Sequence, residues 1–226
     1  MEVLVTGGDT ELGRVIAEGF RDAGHRVVIS GARRDELEVT GKQLEMDAAD
    51  IIVCDPTDPS SLAAARSQFP HHLDTIVNVP APRWIDGDPR TYTAAQNAAA
   101  WHNALDATVL APVLTLQTIG DHLRSGGAIV SVVPDSPKDG SADAAIKAAL
   151  ADWTAGQATH FGTRGITVNV VAAGRAAEPG YPGLSAAASP VAEEVTRMAV
   201  FLTTPSARHI TGQVLHVSSG VLAHFG

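Results

Sequence analysis

Cysteine is almost absent. Cys54 is the only one in 226 residues, so no internal disulfide can form and the chain reads as the product of a reducing, cytoplasmic compartment. Aromatic residues make up 4%, with two tyrosines in all, Tyr92 and Tyr181. Basic residues are outnumbered, 16 Lys and Arg against 25 Asp and Glu, for a formal charge of −9. That balance argues against nucleic acid or an anionic membrane as partner, since both need a basic face. No run approaches the roughly 18 apolar residues of a membrane span. The opening Met1-Glu2-Val3-Leu4-Val5 has neither a basic segment nor a long apolar stretch, so no signal peptide is expected. These absences leave a soluble, acidic, cytoplasmic protein as the expectation.

What is present is ordinary globular material, 45% hydrophobic and 18% charged, which excludes a mainly disordered chain. Short β-branched runs alternate with longer helical stretches throughout. Candidate strands are Val3 to Thr6, Arg26 to Ser30, Asp50 to Cys54, Thr75 to Val79, Ala128 to Val133, Thr167 to Ala172 and Val214 to Val217. They are continuous apolar runs rather than alternations, the pattern of parallel strands covered on both faces. Helical candidates between them are Leu12 to Ala23, Arg34 to Glu45, Ser60 to Gln68, Thr93 to Arg124, Ala142 to Phe161 and Pro190 to Leu202. Pro112 should kink or split the fourth. The alternation predicts one α/β domain over residues 1–226, a Rossmann-type doubly wound parallel sheet of about seven strands with helices on both faces. Gly174 to Ser189, rich in Ala, Gly and Pro, is a candidate binding loop or a plain surface loop.

Val5-Thr6-Gly7-Gly8-Asp9-Thr10-Glu11-Leu12-Gly13 joins the first strand to the first helix. Glycines there allow a tight turn and close approach of a pyrophosphate to the helix N-terminus, although a glycine turn is also a plain connection. Further along stand Asp55 after the third strand, Val77-Asn78-Val79-Pro80-Ala81 after the fourth, Gly165 to Gly174 around the sixth, and Ile210-Thr211-Gly212-Gln213 before the last. Taken in order, these motifs resemble the short-chain dehydrogenase/reductase family over essentially the whole chain.

The resemblance implies a nicotinamide dinucleotide cofactor, oxidoreductase activity and a homodimer or homotetramer. It matches Gly7 and Gly13 to the first and last glycines of the family's turn, with Glu11 and Leu12 between them. Asp55 falls on the position that binds the adenine amino group, and Asn78 on the first asparagine of Asn-Asn-Ala-Gly. The second strand ends Ser30-Gly31-Ala32-Arg33-Arg34, with glycine where an acid would read a ribose hydroxyl and two arginines just after. Arginine pairs bidentately with a 2′-phosphate, so NADP(H) is expected ahead of NAD(H), through Arg33 or Arg34. The alternative is that both are solvated residues at a helix start.

The chemistry departs from the family. Its lysine, which holds the nicotinamide ribose, matches Lys147; four residues earlier stands Asp143 in place of tyrosine. Pro134 fills the serine position and Thr108 the asparagine position. Asp143 and Lys147 are spaced i and i+4, suited to a helical ion pair. A carboxyl beside an ammonium is a poor acid near neutrality, so Asp143 is a weak candidate for general acid or base. Ser131, Ser136 and Tyr181 are other recruits. Glu11 fills the middle glycine position, where it adds bulk and a like charge beside the phosphates; it either occupies the anion site and weakens binding or points into solvent. His71 and His72 lack a ligand cluster of recognisable spacing, so no metal is expected. His102, His122 and His160 read as surface or packing residues, Cys54 as a small buried hydrophobe, and Trp101 and Trp153 as core or interface. Two functions follow: an NADP(H)-linked oxidoreductase on a small carbonyl or alcohol with a non-standard relay, or an inactive dinucleotide sensor or oligomeric scaffold.

Overall fold

A computed structural model of the chain describes residues 1–82, 85, 88, 91–133, 141–173 and 191–217. The expectations placed on Pro134, Ser136, Tyr181, Gly174 to Ser189 and Pro190 lie outside the described residues, as does the side chain of Asp143.

The strands are β1 (Glu2–Thr6), β2 (Arg26–Gly31), β3 (Ile51–Val53), β4 (Leu73–Asn78), β5 (Leu123–Val133), β6 (Thr167–Ala173) and β7 (Val214–Val217). They form one sheet in the order β3-β2-β1-β4-β5-β6-β7, and every adjacent pair is parallel. The helices are α1 (Glu11–Asp22), α2 (Arg34–Gln43), α3 (Pro59–Ala65), α4 (Ala94–Leu105), α5 (Ala111–Ile119), α6 (Ser141–Gly162) and α7 (Val191–Leu202).

The apolar strands divide their side chains between two cores, as a doubly covered sheet requires. Val3 and Val5 of β1 join Val77, Val130 and Val132 beneath α1 and α7. Leu4 points the other way and joins Ile76, Ile129 and Val168 with Leu62, Leu116 and Ile119. Helix starts are fixed by side chains. Thr10 Oγ1 accepts from Gly13 N at 3.0 Å, Asp58 caps α3 ahead of Pro59, and Thr93 and Gln96 cap each other's backbone at α4.

The long helical stretch from Thr93 is split, as Pro112 leads one to expect. A five-residue π segment, Asp106–Leu110, separates α4 from α5. Pro112 explains it: its ring lacks an N–H and presses on the carbonyl four residues back, that of Thr108, and the wider turn accommodates both. The helix ends at Ile119, and Leu123 and Arg124 belong to β5.

Candidate dinucleotide cleft

Strand order reverses direction beside β1, since the chain runs β1, β2, β3 to one side and then crosses to β4 on the other. In open parallel sheets such a switch opens a crevice at the carboxyl ends of the strands. Here that crevice is a cleft of about 1040 Å³. Its walls are the β1–α1 turn, the end of β2, Asp55 to Thr57 after β3, and Val79 to Pro82 after β4.

The turn is held by close backbone approach. Gly7 has φ +63°, and a Cβ on it would stand 2.3 Å from the Val79 carbonyl oxygen. A Cβ on Gly13 would stand 2.0 Å from the Gly7 oxygen, which separates the turn from the first helical turn only as far as hydrogen allows. Gly8 N donates to Ser30 O at 2.9 Å, and Thr40 Oγ1 of α2 donates to Gly8 O at 2.8 Å. Thr6 Oγ1 accepts from Val79 N at 3.1 Å, tying the ends of β1 and β4 together.

Asp9, which carries no signal in the sequence beyond a turn-forming residue, is the most unusual group in the cleft. It is 3% exposed. Its Oδ2 accepts from the Arg33 backbone N at 3.2 Å and from Arg33 Nε at 3.0 Å, and Arg33 Nη2 donates to the Asp9 carbonyl. Oδ1 is buried without a hydrogen-bond partner among the described residues, and a Cβ on Gly31 would stand 2.3 Å from it. The missing acid at the end of β2 thus has a steric reason: Asp9 fills the space above Gly31. The clue in the sequence was the pairing of Gly31 with an acid 22 positions earlier, which no local pattern reveals.

Of the two arginines, Arg33 lines the cleft and Arg34, exposed at the start of α2, does not. Glu11 is exposed at the first position of α1 and lines the cleft with Leu12, where the helix dipole favours an anion. Asp55 turns back on its own loop, its Oδ1 accepting from Thr57 N at 2.9 Å and from Thr57 Oγ1 at 2.6 Å. Asp9, Glu11, Glu36, Asp55 and Asp106 face the cleft with Arg14 and Arg33, so carboxylates outnumber guanidiniums there.

The chemical side is less open. Asn78 is buried at the end of β4, its Nδ2 donating to Ser131 Oγ of β5 at 3.4 Å. Its Oδ1 lacks a partner among the described residues. Thr108 is 9% exposed in the π segment. Lys147 is half-buried on α6 and is not among the residues lining the cleft. At the far end of the sheet the expected Thr211-Gly212 turn is latched: Thr211 Oγ1 accepts from Val168 N at 3.1 Å, and Gly212 N donates to Val168 O at 2.7 Å.

Residues 9–222 match the family model described as Enoyl-(Acyl carrier protein) reductase. The chain belongs to the short-chain dehydrogenase/reductase family of oxidoreductases. It is 66% identical over 226 residues, all of both chains, to Rv1856c of Mycobacterium tuberculosis (strain H37Rv), a protein named only as an oxidoreductase. It is 28% identical to the 3-oxoacyl-acyl-carrier-protein reductase FabG of Rickettsia bellii, over 97% of this chain and 95% of that one. A short-chain dehydrogenase from Burkholderia cenocepacia J2315, solved in complex with NADP, superimposes with a TM-score of 0.73 at 29% identity, covering 96% of each chain. Within the short-chain dehydrogenase/reductase fold, the expected sheet and glycine turn are in place. None of the helices among the described residues is long and apolar enough to cross a membrane.

Proposed function

We propose that the cleft binds a nicotinamide dinucleotide, NADP(H) ahead of NAD(H), and that the chain is an oxidoreductase acting on a small carbonyl or alcohol through a proton relay unlike the family's. The observation that carries this reading is the glycine cradle with Arg33 at its rim. Hydrogen at Gly7 and Gly13 is all the backbone contacts tolerate, and the Arg33 side chain, although bonded to Asp9, is 56% exposed. The residues therefore fit the group: a pyrophosphate against the turn and the start of α1, a 2′-phosphate against Arg33. The Burkholderia relative was solved in complex with NADP.

When bound, the dinucleotide supplies or accepts the hydride. The chain's own task is to place Asp55 and Asn78 along it, to hold the ribose through Lys147, and to move one proton at the substrate oxygen. Asp143 and Tyr181 are the proposed carriers of that proton. Trp101 and Leu105, 37% and 40% exposed on α4, support the homodimer or homotetramer that the family resemblance implies.

A second reading, dinucleotide binding without turnover, is favoured by Thr108, Asn78 and Ser131. They are all buried, the last two bonded to each other, rather than turned into the cleft. Calorimetric titration with NADPH and NADH, followed by NADPH oxidation over a panel of small carbonyls, separates the two. Substrate-dependent oxidation abolished by Lys147→Ala supports the enzyme. Binding without turnover across the panel supports the sensor. No binding of either cofactor overturns both and leaves a scaffold.

A further inference from the structure

We infer that Asp9 is a specificity-determining residue: from the β1–α1 turn it positions Arg33 so that the guanidinium offers one free edge to a 2′-phosphate. The inference rests on the dinucleotide reading above and adds a residue outside β2 to the recognition of the adenosine ribose.

A guanidinium has two usable edges. On one, Nε and a proton of Nη2 lie side by side; on the other, Nη1 and the second Nη2 proton do. Asp9 consumes the first edge completely, its Oδ2 accepting from Nε at 3.0 Å and its carbonyl accepting from Nη2. Because Oδ2 also accepts from the Arg33 backbone N at 3.2 Å, both ends of the arginine are fixed to one residue. The second edge makes no hydrogen bond among the described residues, on a side chain 56% exposed. An arginine already held in its binding rotamer loses less entropy when an anion arrives.

Holding the carboxylate there also carries a cost. Asp9 is 3% exposed, and its Oδ1 lacks a partner among the described residues. A buried charge left half-satisfied is unfavourable. A plain turn would use serine or glycine here without that cost. Gly31 is shaped to the same end, since any Cβ there would meet Asp9 Oδ1 at 2.3 Å.

The test is calorimetric titration of the full chain with NADPH and with NADH at one ionic strength, read as the ratio of the two affinities. A fault in the turn alone weakens both cofactors together and leaves that ratio unmoved. The wild type is expected to prefer NADPH by about tenfold or more, and Arg33→Ala to lose that preference. Asp9→Ala is expected to cut the ratio by about fivefold through NADPH, with NADH nearly unchanged, while Asp9→Asn, which keeps an acceptor, restores most of it. Should Asp9→Ala not fold, Gly31→Ala displaces the same carboxylate and is expected to lower the same ratio. An unchanged ratio in both Asp9→Ala and Gly31→Ala overturns the inference, as does tighter NADPH binding by Asp9→Ala, which would make Asp9 a competitor for Arg33. A wild type that binds both cofactors, but without preference and without response to Arg33→Ala, removes the 2′-phosphate and this inference while leaving the dinucleotide. A wild type that binds neither cofactor overturns the underlying reading and the inference with it.

Discussion

The two halves of the sheet are packed alike and specialised differently. Around β1, β2 and α1, the glycine turn is fixed by contacts that leave no room for a methyl group, and Asp9 and Arg33 are bonded to each other beside it. Around β5, β6 and α6, the core is equally closed, with Val130, Ile129, Val168 and Leu150 all fully buried. Yet the positions that the resemblance matches to the family's chemistry hold Thr108 and Asp143 beside Lys147, of which only the lysine is the family's residue. Packing constrains both halves, whereas close backbone approach at a glycine turn constrains only the first. On the proposed function, a retained cradle beside an altered proton relay would put binding and chemistry under separate constraint.

Glycines give the sharpest way to break that comparison. Gly13→Ala puts a methyl 2.0 Å from the Gly7 carbonyl, and neither partner can retreat, because both are backbone. A loss of roughly 3 kcal/mol is expected in urea unfolding, together with loss of cofactor binding. Gly156 in α6 is exposed, and a Cβ there meets nothing within 4 Å. Gly156→Ala should instead stabilise by about 0.5–1 kcal/mol, through helix propensity alone. Equal effects at the two sites would mean that the cradle is no tighter than the rest of the fold.

How much of this was legible in the sequence depends on distance along the chain. The strands came through within a few residues because two-sided burial writes itself as an apolar run; Val214 to Val217 is the same in sequence and structure. The long helical stretch breaks where Pro112 leads one to expect, and only its end differs, at Ile119 rather than Arg124. Pro112 announces a defect but not its form, which is a five-residue π segment. Leu123 and Arg124 carry no strand signal of their own and enter β5 because Leu123 pairs with Leu73 of β4. Gly7, Gly13 and the pair Arg33 and Arg34 are readable from local motifs, but not that Arg33 is the one lining the cleft. Asp9 is not readable in this way, since its meaning comes from Arg33 and Gly31 across the turn.

A subtler probe of the first half is Cys54, buried at the end of β3. Burial pushes its thiol from 9.0 up to about 11, only partly offset by a hydrogen bond with Ser30. A rise of that size lowers the thiolate fraction at pH 8 about a hundredfold. Native protein should therefore react with a disulfide reagent at least that much more slowly than protein in urea. A native rate within tenfold of the unfolded one would mean that this half opens readily. The same shift has a sign for stability: the unfolded thiol ionises first, so stability is unaffected below pH 9.0 and falls as pH rises towards 11.

The smallest effect, and the one that joins the two halves most directly, is expected at Glu11. It is exposed at the mouth of the cleft, so its charge acts through water and is screened. An anion at a helix start is worth about 0.3–1 kcal/mol, or roughly two- to fivefold in affinity, when a phosphate must compete for the same dipole. Glu11→Gly should tighten NADPH and NADH by that factor alike, because the pyrophosphate is common to both, and the gain should shrink as salt rises. This separates it from Asp9, whose effect falls on NADPH alone. Equal affinities in wild type and Glu11→Gly at low salt would place Glu11 in solvent and make the cradle's fit to a pyrophosphate indifferent to the missing middle glycine. The departure from the family would then be confined to the chemical half of the cleft.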